Sequence, residues 1–302
     1  MDRARAAKGS FRGVDLLLLS VAGMWGTNFS VLKVGLVDVP PMFFASARFV
    51  LALVLMVPMA WLTGHSLRVE RRHVWPIVGV GLLGNAVYMV LFVYGAARTS
   101  ADNAAMILAT VPVWVAVMSS LSGTERVTRG GWCGVALSLG GVFCIAIGSD
   151  AGAELQFGGA SLAGDGLVLL ATLAWSGYSV LVKPLVRSCS PISVTVLSVA
   201  AATGPLLLLT VPFVSVEAVR GISPRGWITL AVSALIGIAL PYFIWNYGIR
   251  QLGSARTSLY SYLVPFFALV VAWLWLGETL TPIQLVGGTL VLAGVLLARR
   301  YG

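Results

Sequence analysis

Apolar stretches of about 20 residues follow one another along the whole chain, and about 20 is the number an α-helix needs to cross the hydrocarbon core of a bilayer. We place ten such segments, approximately at 14–36, 41–62, 74–96, 101–121, 130–148, 163–184, 191–213, 226–249, 254–276 and 281–299. Within lipid each segment must satisfy its own backbone hydrogen bonds, which a helix does internally. The expected fold is therefore all-α and integral to the membrane, with ten transmembrane helices. The composition agrees, because only 10% of the residues are charged and 58% are hydrophobic. A soluble domain carries about 25% charged residues. Once the ten segments are marked, nothing long enough for a soluble domain remains.

The net charge of +9 does not point to nucleic acid, because the basic residues sit in short loops and form no continuous face. Their distribution does set an orientation. With the N-terminus inside, 15 of the 20 Lys and Arg residues fall on inner segments. They include Arg68, Arg71, Arg72, Arg126, Arg129, Lys183, Arg187, Arg250, Arg256, Arg299 and Arg300. By the positive-inside rule both termini are expected in the cytosol. The basic N-terminal stretch reads as a cytosolic tail leading into the first helix rather than a cleaved signal. The longest polar connection, residues 149–165, holds Asp150 and Glu154 but no Lys or Arg, and is expected outside. Cys133, Cys144 and Cys189 have no disulfide or CxxC spacing. His65 and His73 lack metal-ligand company, so neither a metal nor another cofactor is expected.

The two halves of the chain resemble each other. An offset of 150 superposes Asp15 on Asp165, Trp25 on Trp175, Lys33 on Lys183 and Pro41 on Pro191. Further along, an offset of 153 pairs Gly84 with Gly237, Tyr94 with Tyr247, Pro112 with Pro265, Glu125 with Glu278, Gly134 with Gly287, and Gly141 with Gly294. Chance does not place so many rare residues on nearly one diagonal. Each unit holds an odd number of spans, so the second copy must enter the membrane upside down. Two inverted five-helix repeats are expected, residues 1–148 and 163–302, joined by a periplasmic linker over 149–162. Inverted repeats of this kind are a transporter architecture.

Several polar and aromatic residues lie where lipid would not tolerate them. Trp25 and Asn28 share one helical face, as do Trp175 and Tyr178, and they fall near mid-depth rather than in an interfacial belt. Helix eight carries Pro241, Tyr242, Trp245 and Asn246; helix nine carries Ser258, Ser261, Tyr262 and Pro265. Helices three and four add Asn85, Tyr88, Tyr94, Asn103, Met106 and Thr110. These positions read as a substrate cavity, with helix–helix hydrogen bonding as the alternative. Arg48 stands about 10 Å into the bilayer. It is either a structural clamp on backbone carbonyls or an attractor for a substrate carboxylate. Gly84, Pro112, Glu125, Gly237, Pro241, Pro265 and Glu278 are expected hinge or gate positions. Glu125 and Glu278 end helices four and nine against the dipole, and each needs a specific partner. Asp15 and Asp165 read as helix caps. The run Gly79-Val80-Gly81-Leu82-Leu83-Gly84 matches GxGxxG, but it lies inside an apolar span with no preceding strand, which excludes a dinucleotide site.

The segments WGTNFSVLKVGL and PPMFFASARF in the first half, and YFIWNYGIRQLGSARTSLYSYLVPFFALVVAWLWLGETLTPIQLVGGTLVLAGVLL in the second, resemble the EamA branch of the drug/metabolite transporter superfamily. The resemblance spans nearly the whole chain and extends to YddG-type amino-acid exporters. It implies a ten-helix exporter of amino acids or other small metabolites in a bacterial inner membrane, built around a central cavity. Combined with the repeats, the expectation is alternating access, with a small-molecule substrate, a surrounding lipid bilayer and a monomeric chain. The cavity's poverty in charge favours neutral or aromatic amino acids. The competing readings are a lipid-carrier flippase and an integral-membrane enzyme acting on lipid-linked substrates. For the enzyme, the sequence offers no HExxH, no GxSxG and no paired carboxylates.

Overall fold

The computed structural model describes residues 13–148, 159–271, 273–274 and 280–301. The chain is helical throughout these, with no strand among them. Helices α1 (Gly13–Gly35) and α2 (Pro41–Leu62) come first. Helix α3 (Arg71–Gly81) passes through a π-helical segment, Leu82–Val87, into α4 (Tyr88–Ala96). Helices α5 (Ala101–Leu108), α6 (Val111–Leu121) and α7 (Arg129–Ile147) complete the first half. The second half opens with α8 (Gly159–Ser188), α9 (Pro191–Thr210) and a short surface helix α10 (Val216–Arg220). Helix α11 (Pro224–Ala234) then passes through a second π-helical segment, Leu235–Ala239, into α12 (Leu240–Leu252). A five-residue helix α13 (Ser254–Ser258), a 3-10 turn (Leu259–Tyr262) and α14 (Leu263–Val271) follow, before α15 (Pro282–Tyr301). Among the described residues nine helical spans are long and apolar enough to cross a membrane.

Prolines set four of the helix starts. Pro41, Pro191, Pro224 and Pro282 are each the first residue of a helix, where a missing N–H costs nothing. Pro76 is an exception. The expected start at 74 moves back to Arg71, which leaves Pro76 inside α3. The helix expected over 163–184 is longer, Gly159–Ser188, so the end of the expected linker is helical.

Two segments expected as continuous helices are broken. The one at 101–121 is interrupted between Leu108 and Val111, and the one at 254–276 between Ser258 and Leu263. Pro112 and Pro265 lie just beyond these breaks. A proline ring clashes with the carbonyl four residues earlier and disfavours helical geometry in the residue before it. The two π-helical segments begin at Leu82 and Leu235, the same offset of 153 that relates the glycines within them.

Helices α7 and α15 form the closest seam. A Cβ added to Gly141 would stand 2.6 Å from the carbonyl oxygen of Gly287, and one on Gly287 the same 2.6 Å from the carbonyl oxygen of Gly141. Only glycine permits that approach. Asp15 and Asp165 are not simple caps. Asp15 is buried and pairs with Arg299 Nη2 at 2.7 Å while accepting from the Tyr260 hydroxyl, which ties α1 to the C-terminal helix. Asp165 accepts from Asn103 Nδ2 at 3.2 Å and from Thr99, which ties α8 to α5. A carboxylate within reach of donors on a neighbouring helix gains more there than at its own N-terminus, because those donors would otherwise face lipid unpaired.

Candidate functional site

Six of the seven aromatic residues flagged on α1, α4, α8 and α12 converge. Trp175 of α8 is their hub, with ring centroids 5.3 Å from Tyr178, 5.4 Å from Tyr242, 5.6 Å from Tyr88, and 6.1 Å from both Trp25 and Trp245. Trp25 and Trp245 close the ring at 5.2 Å. Tilted and edge-to-face contacts at these separations are each worth about 0.5–1.5 kcal/mol beyond burial. Helical spacing explains the convergence: Trp175 and Tyr178, like Tyr242 and Trp245, are three residues apart and share a face. The rings of Trp175, Tyr178, Tyr242 and Trp245 are buried. In this conformation they fill the space between the helices.

The two π-helical segments frame this cluster. At Gly84 a Cβ would meet Tyr178 Cγ at 2.3 Å; at Gly237 it would meet Asn28 Nδ2 at 2.9 Å. Tyr178 and Asn28 are themselves related by the 150 offset, so each segment receives the other half's polar side chain against a glycine. A π-turn disturbs the i→i−4 ladder, and the Gly237 carbonyl accepts from Trp25 Nε1 at 3.0 Å. Pro241 stands two residues beyond its π segment, but position 88, its counterpart, is tyrosine. Glycine, common to both segments, is therefore the shared determinant, and proline is not.

A polar layer lies behind the rings. Tyr178 Oη and Asn246 share hydrogen bonds at 2.8 and 3.1 Å, and Asn246 Nδ2 also donates to Thr195 Oγ1 at 2.8 Å. Asn85 Nδ2 donates to the Ser198 carbonyl at 3.4 Å. Among the flagged residues, the buried atoms Asn28 Oδ1, Arg48 Nε, Asn85 Oδ1, Trp245 Nε1 and Tyr262 Oη have no protein partner. Such atoms are expensive in low dielectric and suit a ligand with both donor and acceptor groups.

Arg48 stands beside the cluster. It is 8% exposed, and its Nη1 donates to Ser233 Oγ at 3.3 Å. Its Nη2 approaches Met89 Sδ at 3.9 Å, one residue beyond Tyr88 of the cluster. It clamps no backbone carbonyl among its resolved hydrogen bonds.

Other flagged residues lie elsewhere. Tyr94 packs on Phe213 (6.5 Å) and under Arg98 (5.6 Å), away from the hub. Thr110 donates to the Ile107 carbonyl and accepts from Trp114 Nε1 at 3.1 Å, stabilising the break between α5 and α6. Ser258 and Ser261 donate to the carbonyls of Ala255 and Ser258 within their own turn. Met106 is half-buried on α5. Glu278 falls outside the described residues.

Glu125 has the partner its position demanded. Its carboxylate pairs with Lys183 Nζ at 2.6 Å and accepts from the backbone N–H groups of Ser254 (2.6 Å) and Ala255 (3.1 Å). Lys183 also donates to the Thr124 carbonyl at 3.0 Å. One carboxylate thus joins the loop after α6, the end of α8 and the start of α13. Gly253, at φ +91°, makes the turn beside it.

Sequence reasoning missed Thr195, Ser233 and Met89, single small or apolar residues on helices with no polar clustering. Thr195 had one available signal, since it shares a helix face with Ser198, the counterpart of Arg48.

Comparison with known proteins places this geometry. The model of the EamA-like transporter family matches residues 12–147 and again 162–300. A protein of Streptantibioticus cattleyicolor described as a probable terminal-alkyne amino-acid exporter is 29% identical, over 96% of this chain and 94% of its own. One of Salmonella typhimurium described as a probable amino-acid metabolite efflux pump is 27% identical, over 92% of each. A solved crystal structure superposes with a TM-score of 0.84 at 16% identity, covering 96% of this chain and 97% of the other. A family match to each half in turn, on a bundle of membrane-spanning helices, leaves one assignment: this chain is a multi-pass membrane protein of the EamA-like transporter family.

Proposed function

We propose that the chain exports neutral or aromatic amino acids across the bacterial inner membrane by alternating access, with the Trp175 cluster as its substrate site. The observation that carries the reading is the convergence of five rings on Trp175 from four helices. An apolar or aromatic side chain can replace ring–ring contacts with equivalent ones at little loss. Arg48 is a buried cation lodged between α4 and α11, through its contacts with Met89 and Ser233. A multiply anionic solute would need several cations there. The two relatives above, described as a probable amino-acid exporter and a probable amino-acid metabolite efflux pump, favour amino acids as the broader class. Counterflow of radiolabelled phenylalanine, methionine and threonine in proteoliposomes is the direct test. Trp175→Ala should cut phenylalanine exchange at least tenfold with the protein still monodisperse in detergent. Exchange of sugar phosphates with none of the three amino acids would sink the reading.

The architecture proposed is ten spans in two inverted five-helix repeats, both termini cytosolic and the 149–162 linker periplasmic. Its support is local correspondence: π-helical segments, helix breaks and the glycine seam all recur near one offset. In a background with the three native cysteines replaced by serine, Leu155→Cys should react with an impermeant maleimide in intact cells. Glu70→Cys should react only after lysis. The opposite pattern would overturn the orientation.

A further inference from the structure

Arg48 is the outstanding anomaly of the membrane-embedded region. Three ion pairs join the described residues, Arg72–Glu70, Lys183–Glu125 and Arg299–Asp15, and Arg48 belongs to none of them. A guanidinium carries five N–H donors and does not lose its charge in a protein. Here Nη1 reaches a serine hydroxyl at 3.3 Å, Nη2 reaches only the Met89 sulfur at 3.9 Å, and Nε has no acceptor. The Phe44 ring lies 5.5 Å from the guanidinium carbon. One long hydrogen bond, a thioether and a ring face are weak company for a buried cation.

The other half of the molecule indicates whether the fold needs a cation at this point. Arg48 on α2 meets Ser233, which lies just before the Leu235–Ala239 π segment. The 150 offset carries Arg48 to Ser198 on α9, which meets Gly81, just before the Leu82–Val87 π segment. That crossing is closed by backbone: a Cβ on Gly81 would stand 2.5 Å from the Ser198 carbonyl oxygen. The same junction is therefore built once without any charge. A clamp is not what the architecture asks of position 48.

The cation also borders the elements that carry the aromatic site. Its Nη2 contact, Met89, is the chain neighbour of Tyr88, whose ring stands 5.6 Å from Trp175, and its Nη1 contact, Ser233, precedes the π segment whose Gly237 carbonyl accepts from Trp25. A solute whose side chain lies among the rings can direct its charged end toward that guanidinium. We propose that Arg48 is the anchor for a carboxylate of the transported solute, and that a single anionic carboxylate next to an apolar or aromatic moiety defines the substrate class. This rests on the reading of the Trp175 cluster as the substrate site. Guanidinium and carboxylate match as paired donors and acceptors. Arg48 has no ion-pair partner among the described residues, and the solute supplies the counter-charge.

The test uses purified full-length protein in proteoliposomes and three competitors of phenylalanine counterflow. They are phenylalanine itself, phenethylamine, which lacks the carboxylate, and 3-phenylpropionate, which lacks the amine. In the unmodified protein, phenylalanine should compete at least tenfold better than phenethylamine, and 3-phenylpropionate should retain measurable competition. Arg48→Gln should abolish that discrimination, and Arg48→Lys should restore part of it. A clamp that merely held α2 to α11 would alter rate without altering the ratio between the acid and the amine. The competition series in unmodified protein needs no variant, so a misfolded Arg48→Gln does not block the decision. Equal competition by phenethylamine and phenylalanine, with robust phenylalanine exchange, overturns the anchor and leaves amino-acid transport standing. If amino acids fail to exchange but 3-phenylpropionate does so through Arg48, the amino-acid reading falls and the anchor stands. If neither exchanges, both fall.

Discussion

Lys183→Met should lower the stability of the protein by about 3–5 kcal/mol, the range seen when one partner of a buried ion pair is removed and the other stays charged. Both side chains here are largely shielded, at 6% and 16% exposure. Glu125 would keep its hydrogen bonds to Ser254 and Ala255, but those two N–H groups alone would face a full negative charge. Removing the charge from both sides, as in Glu125→Gln with Lys183→Met, should recover much of the loss, because a neutral amide can still accept from Ser254. The measurement is thermal unfolding in detergent for the two single variants and the double one, read as a cycle. A Lys183→Met protein as stable as the unmodified one would show that the pair contributes little. The same variants bear on transport. If this contact holds the inner side shut, the double variant should shift accessibility of inner-facing cysteines even where stability is recovered.

The second large effect is expected at Gly84, and Gly79 is its control. Both belong to the GxGxxG run and both lie within one span, yet their surroundings differ. A Cβ on Gly79 meets nothing within 4 Å, so Gly79→Ala should be neutral or gain about 0.5–1 kcal/mol from reduced backbone entropy. A Cβ on Gly84 would lie 2.3 Å from Tyr178 Cγ and 2.4 Å from its Cβ. The tyrosine cannot swing away without breaking its bonds to Asn246. Gly84→Ala should therefore cost several kcal/mol, at or beyond the upper end of the about 1–3 kcal/mol typical of overpacking. Phenylalanine exchange should fall with it. Matched melting temperatures for the two variants would refute the close approach on which the site's shape depends.

How far the sequence could lead is clear from particular residues. Segment length and proline position gave most helix starts within a few residues, because Pro41, Pro191 and Pro282 act through local sterics alone. The offset pairs Trp25–Trp175 and Gly84–Gly237 led to residues that meet around one aromatic cluster. What local patterns could not supply was partnership across the bundle. Asp15 read as a cap because its own helix begins there, while its bonds run to Tyr260 and Arg299, nearly the full chain away. Glu125 was seen to need a partner, but nothing near it in sequence named Lys183. The π-helical segments were equally hidden, since their only mark is a glycine, and glycines recur throughout the apolar spans. Tyr94 went astray for the opposite reason: a polar ring in a span looked like a cavity group, and it packs instead against Phe213 and Arg98.

The seam between α7 and α15 has a mechanical consequence. Where each helix's glycine lies against the other's carbonyl oxygen at 2.6 Å from a notional Cβ, no side chains remain between the two backbones to act as a deformable cushion. Two rods in such contact resist sliding and twisting together, because any shift drives main chain into main chain. Strain applied to the molecule must then be taken up elsewhere, at elements whose hydrogen-bond ladders are already irregular. Among them are the π-helical segments at Leu82–Val87 and Leu235–Ala239 and the breaks ahead of Pro112 and Pro265. The chain thus sets a stiff spine against compliant joints, and two of the joints border the aromatic cluster.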